Sequence, residues 1–471
     1  MSETCCDPHP SHCGPGYESP QQAFLCGKKE TILYVLCTHA DGAKKGLNDY
    51  LAVVDVDPKS PHYSQVIQRT YALYAGDEFH HSNWNVCSSC HHMAHCKRDK
   101  LIVPCLLSDR IYVFDTSNEK EPTLFKVIEK IKSYKVTAPH TTHCLATGQV
   151  LISTMGDEDG NAKGSFVLLD GNTFEIKGLW SDEITPFAYD FWYQPRHNVM
   201  VSSEWGAPNA WKKGFSPSDA ENGLYGHSIH FWNWEDRTLL KSVDLGDRGY
   251  MPLETRFFHD PRRSEGFVGC ALSSNVFLFG KSECVWYTQE VISVPALKVK
   301  NWLLPEMPGI ITDIIISMDD RYLFFSNWVQ GDVRQYDVTC PDSPKLVGRL
   351  FVGGSACKDS GVIVEDNDFV QPERPVIKGK ALRGGPQMLQ LSLDGKRLYV
   401  TNSLFTSWDK QFYPDMAKSG GMMVQIDVLP DNGGLKFNEN FLIDFGDEPN
   451  GPSLAHEMRY PGGDCSSDIW L

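Results

Sequence analysis

The chain has 471 residues, 41% hydrophobic and 22% charged, the balance of a protein that buries a sizeable core rather than of a disordered one. Its net charge of −16 would repel phosphate backbones and anionic membrane surfaces, so nucleic acid is excluded as a partner class. No apolar run approaches the roughly 18 residues of a membrane span, and no export signal opens the chain, so a cytosolic protein without an integral membrane segment is expected.

Fifteen cysteines, an odd number spread along the chain, point to reduced thiols rather than a disulfide framework. Residues 1–20 hold Cys5, Cys6, His12 and Cys13 among Pro and Gly and read as a flexible tail outside the fold. From there the chain reads as all-β: short runs of Val, Ile, Tyr, Phe and Trp alternate with polar residues and break at Gly, Asp, Asn and Pro.

In chain order, strand–turn–strand units occupy 50–69 (YLAVVDVDPKSPHYSQVIQR), 110–129, 164–180, 227–245 and the more divergent 275–294. The clearest repeat pairs ITDIIISMDDRYLFFSNW (311–328) with PQMLQLSLDGKRLYVTNS (386–403), and each has a second echo, at 331–338 and 421–428. Seven such units predict one seven-bladed β-propeller over 21–471, with blade boundaries near 75, 135, 185, 250, 305 and 380. LAHEMRYPGG near the C-terminus has no hairpin after it. It is therefore expected to supply the inner strand of the blade built from 31–69, closing the ring by pairing N- and C-terminal segments. Residues 353–383, rich in Asp, Glu, Gly and Pro, read as an exposed excursion that could form a lid.

Aligning the inner strands sets His140, Tyr189, Glu254, Thr312, Gln387 and His456 at one equivalent position, and the divergent EFHHSNWNVCSSC adds His80 or His81. Side chains there face the central channel. An imidazole-rich ring suits copper, zinc, iron or nickel, and only the redox-active ions among these pass electrons to dioxygen. The candidate metal ligands are His80, His81, His140 and His456, with His143 and Gln387 beside them; Cys144 is a further neighbour. Glu254 is the candidate catalytic carboxylate, whereas Asp190, Glu204 and Asp313 read as blade-to-blade hydrogen-bonding groups. CSSCHHMAHC (87–96) resembles half of a zinc knot, and its Cys87 and Cys90 read as metal ligands, a redox dithiol or structural thiols. Nucleotide-binding glycine and GxSxG signatures are missing from the sequence, which disfavours dehydrogenase and serine-hydrolase readings.

Several long segments resemble the selenium-binding protein family: YLAVVDVDPKSPHYSQVI, EFHHSNWNVCSSC, YDFWYQPRHNVMVSSEW, FFSNWVQGDVRQYDV and the terminal AHEMRYPGGDCSSDIWL. The similarity runs from Cys13 to Leu471. It implies a methanethiol oxidase that uses copper and converts methanethiol, dioxygen and water into formaldehyde, hydrogen sulfide and hydrogen peroxide. Glu254, Cys87 and Cys90 are then the candidate catalytic residues. The resemblance also implies a cytosolic location extending to the nucleus and peripheral membrane, with peripheral membrane or protein partners. The alternative is a non-catalytic selenium- or thiol-binding or protein-transport scaffold. Ser64 stands where selenium-binding members carry cysteine, which puts selenium attachment in doubt.

Overall fold

The computed structural model describes residues 14–429 and 432–471. Seven four-stranded antiparallel sheets, each in simple meander order, form a β-propeller. Blade 1 combines Leu454–Arg459 (innermost) with Ile32–Thr38, Asn48–Asp55 and Gln65–Ala75. The inner strands of blades 2 to 7 are Asn83–Trp84, Thr137–Leu145, Phe191–Gln194, Pro252–Phe257, Ile311–Ile316 and Leu389–Leu391. The expected closure is observed: Tyr34 pairs with Arg459 and Val35 with Met458, so the last strand hydrogen-bonds to the first.

Apolar burial follows this radial plan. Middle strands are buried on both faces because each blade packs against two neighbours, as in Asn48–Asp55, whereas the outer strand Thr238–Asp244 is largely exposed. The core is accordingly divided among blade-to-blade seams. Leu33, Val35 and Val54 pack on Tyr399, Met423 and Phe441 between blades 1 and 7. Tyr34, Leu51 and Val53 pack on Trp84, Leu101 and Val103 between blades 1 and 2.

Two insertions between the second and third strands of blades 4 and 7 were not apparent from the strand periodicity. They carry the short helices Pro208–Trp211, Pro217–Glu221, Thr406–Phe412 and Pro414–Ser419. With Leu297, Val299 and Met307 from the blade 5–6 connection, they build an aromatic roof containing Trp205, Trp211, Trp328, Phe405 and Trp408. Residues 353–383 join that roof through Ala356 and Val362 and pair Ile363–Val364 with Leu297–Lys300, while Val370 and Val376 face solvent. Of the segment expected as a tail, residues 1–13 lie outside the described residues. Gly14 and Tyr17 donate backbone N–H groups to His91 O and Ser88 Oγ at the opposite face. No helix among the described residues is long and apolar enough to cross a membrane.

Candidate metal centre

Blade equivalence can be fixed by hydrogen bonds rather than by pattern. Hydroxyls on second strands donate to a carbonyl of the next inner strand: Ser153 to Tyr189 O, Ser203 to Leu253 O, Ser326 to Gln387 O and Thr401 to His456 O. Tyr189, Leu253, Gln387 and His456 are therefore equivalent, and His80, His140 and Thr312 occupy the same level in the remaining blades. This corrects the expected register in blade 5, where Leu253, and not Glu254, shares the level of the histidines. Glu254 falls one residue deeper, beside His81, Asp190, Asp313 and Glu457.

A β-bulge explains how two consecutive residues of one strand reach the axis. In blade 1, His456 and Glu457 together lie opposite Leu36, and in blade 3 His140 and Thr141 lie opposite Ser153; blade 5 bulges at Leu253 and Glu254. Such bulges re-aim side chains that strict alternation would send to opposite faces. The approach is also strained: Glu78, Ala138, Met251 and Ile310, each two residues before the ring position, have φ between 53° and 62°. Non-glycine residues in this region cost on the order of 1 kcal/mol or more each, and such strain gathers where geometry serves a site.

The ring converges four imidazoles. Ligand nitrogens of His80, His81 and His140 lie within 4.8 Å of one another. His456 stacks on His80 with ring centroids 3.9 Å apart, and His81 and His140 are 4.0 Å apart. The second nitrogen of three rings is tied down: His456 Nδ1 donates to Ser403 O (2.6 Å), His81 Nδ1 faces Glu457 Oε1 (3.2 Å) and His140 Nδ1 meets Thr141 Oγ1 (2.9 Å). All four Nε2 atoms are buried without a hydrogen-bond partner. An orphaned buried nitrogen is costly; His80, His81 and His140 form a donor set that fits a metal ion, and His456 is stacked beside it with its own Nε2 unpartnered. Burial, reinforced by neighbouring imidazoles, holds His80, His81 and His140 well below the usual histidine range, and burial lowers His456 to about 4. The rings are thus neutral at pH 7, as metal ligation requires.

Immediately below lies a charged layer, of which the sequence reading named Glu254, Asp190 and Asp313 but not Glu457, Arg256 or Arg459. Arg256 donates to Glu254 Oε2 (2.7 Å) and Asp190 Oδ2 (2.6 Å), and Arg459 donates to Glu457 Oε1 (2.6 Å). An E-x-R spacing in both LETR and HEMR was the available signal. Asp190, Asp313 and Glu457 each accept a backbone N–H from the following blade, at Thr255, Leu389 and Ser82. Asp190 and Asp313 thus join blades as expected, whereas Glu204 holds its own blade by accepting from His227 N, Ser228 N and His230 Nε2. Glu254 Oε1 has no hydrogen-bond partner and lies 3.8 Å from His81 Nε2; burial, and then Asp190, push its carboxyl well up.

Gln387 is buried at the ring level with both amide atoms unpartnered, and His143 lines a small cavity below with Asn83 and Arg256. Cys87 and Cys90 are not brought to the histidines. They sit beside Cys144, four residues beyond His140 on one strand, or about 13 Å away. Nor does 87–96 form a metal knot: Cys87 and Cys90 turn inward, while Cys96 Sγ rests 3.8 Å from Met93 Sδ. Ser64 Oγ is buried and bonded to both backbone groups of Leu442.

The model of the 56 kDa selenium-binding protein family matches residues 11–471. The chain belongs to the 56 kDa selenium-binding protein family. Among relatives in this family, methanethiol oxidase of Xenopus tropicalis is 56% identical over 470 residues, 98% of this chain and 99% of that one. Methanethiol oxidase of Mus musculus is 56% identical over 98% of each chain. A solved structure of a hypothetical selenium-binding protein from Sulfolobus tokodaii superposes with a TM-score of 0.85 at 37% identity, covering 97% of this chain and 98% of that one.

Proposed function

We propose that this chain is a methanethiol oxidase, catalysing CH3SH + O2 + H2O → CH2O + H2S + H2O2. The observation that carries the reading is the buried triad His80, His81 and His140, with His456 stacked on it and all four Nε2 atoms unpartnered, under an aromatic roof. His80, His81, His140 and His456 would hold a redox-active ion, which we assign as copper; bound there, it supplies the electron transfer to dioxygen that side chains cannot. The names of the relatives supply the substrate.

The surrounding residues suit a small apolar thiol. Phe405 lies 6.5 Å from the His80 ring, Trp205 meets Tyr189 edge-on at 5.5 Å, and Trp205 stacks on Trp211 at 4.7 Å. This roof excludes bulk water and favours a one-carbon thiol and dioxygen over larger or charged molecules. Glu254 is positioned to move a proton at its unpartnered Oε1. Tyr189, 3.8 Å from the His140 ring, fixes that ring in place.

The test is turnover by purified protein supplied with copper: formaldehyde, sulfide and peroxide should form in equal amounts from methanethiol. A protein that binds no transition metal and turns over nothing would be the thiol-binding scaffold instead.

A further inference from the structure

At the opposite end of the channel three thiols meet around one hydroxyl. Ser89 Oγ lies 3.2 Å from Cys87 Sγ, 3.9 Å from Cys90 Sγ and 3.8 Å from Cys144 Sγ. Cys87 precedes and Cys90 ends a single 3-10 turn, Ser88–Cys90, and Cys144 is the penultimate residue of the inner strand of blade 3. Cys90 Sγ also points to Leu145 O, beside Cys144, at 3.8 Å. All three thiols are buried, yet Ser88 and Ser89 line a cleft of about 1000 Å³ that opens on this face between Trp470 and Arg196. The wall of the cleft at Ser88 and Ser89 thus backs directly onto the three sulfurs.

We propose that Cys90 and Cys144 are a peroxide-oxidised dithiol, with Cys90 the sulfur attacked and Cys144 the resolving thiol. Both sulfurs flank the Ser89 hydroxyl, and Cys90 also faces the carbonyl next to Cys144; the neighbouring Cys144 draws the Cys90 thiol down to about 7, whereas burial pushes Cys144 well up, in keeping with a nucleophile and a proton-bearing partner. The other titratable groups facing the cluster are Cys87, Cys96, Tyr193, Arg98 and Asp468. The Cys90 thiolate attacks one oxygen of H2O2, breaking the O–O bond; the departing hydroxide takes up a proton as water and leaves a sulfenic acid. Cys144 then gives its proton to the sulfenic hydroxyl, which leaves as a second water as the S–S bond forms. Two thiols lose two electrons and two protons, and one peroxide becomes two waters.

The oxidant is the peroxide that the proposed oxidase reaction releases about 13 Å above, so in that respect the inference rests on that reading. Because the test adds peroxide directly, its failure and the failure of the oxidase reading are distinguishable. Reduced, full-length protein is exposed to H2O2, unfolded in alkylating reagent and mapped by mass spectrometry. The expected result is a dithiothreitol-sensitive link joining the peptide that contains Cys144 to the one that contains Cys90, with Cys270, pushed up by burial, still alkylated. Cys90→Ser should remove the link or move it to Cys87. A disulfide closed within the Cys87–Cys90 peptide, or Cys144 fully alkylated after peroxide, would overturn the proposal; the wild-type map decides even if the variant fails to fold.

Discussion

Glu457→Gln perturbs both the blade closure and the metal centre. The Glu457 carboxylate accepts from Ser82 N and Ser82 Oγ (2.7 Å) on one oxygen, and from Arg459 Nη2 (2.6 Å) and His81 Nδ1 (3.2 Å) on the other. Four donors converging on two oxygens is the environment of an ionised carboxylate. A glutamine offers one acceptor oxygen and turns an NH2 group toward donors on the other side. It therefore gives up the blade 1–2 clamp or the Arg459–His81 side. Breaking one half of a buried ion pair costs about 3–5 kcal/mol, partly offset here because Arg459 keeps Ser82 O and Ser466 Oγ. Freed from its carboxylate, His81 loses orientation, and loss of such a support lowers metal affinity by about 10–100-fold. Urea denaturation reads the first effect and chelator competition the second. A variant as stable as wild type and holding the ion as tightly would refute the assignment of Glu457 as the group that aims His81.

Arg256→Met should cost about 3–5 kcal/mol, because Asp190 and Glu254 are left buried without their counter-ion; Arg256→Lys should recover only part of this, since one ammonium cannot reproduce the fork, and denaturant melts check the order. Ser64→Ala strands Leu442 N and Leu442 O, both bonded to the Ser64 hydroxyl, at a cost of about 1–3 kcal/mol in the same assay. Oxidation of Cys90 by peroxide should accelerate as pH rises through about 7, because only the thiolate attacks and lowering of this thiol by its neighbour Cys144 moves its ionisation into that window; quenched-flow alkylation reads the rate, and a rate that climbs only above pH 9, past the ordinary thiol value of about 8.5, would contradict that lowering.

The propeller was legible because each blade repeats one hairpin pattern and the unpaired LAHEMR segment had only one place to go. His80, His81, His140 and His456 were legible because inner strands align. Of the charged layer, Asp190, Glu254 and Asp313 were legible as inner-strand carboxylates, whereas Glu457 was not, because strict alternation allows one axial side chain per two residues and the bulges at His456–Glu457 and Leu253–Glu254 present two. The same assumption placed Glu254 one residue too high. Cys87 and Cys90 were grouped with the histidines because they follow them closely in sequence, but the chain descends the channel between His81 and Cys87. The roof helices left no periodic trace: each is at most seven residues, too short for a 3.6-residue pattern to register.

The most direct measurement combines elemental analysis of the purified protein with peroxide release from methanethiol, for wild type and for the His140→Ala, His456→Ala double variant. A bound copper ion and peroxide release in the wild type, both lost in a variant that keeps its β-sheet circular dichroism, is the expected result. A variant that retains copper and turnover in full would show that the redox centre lies elsewhere than in the histidine ring.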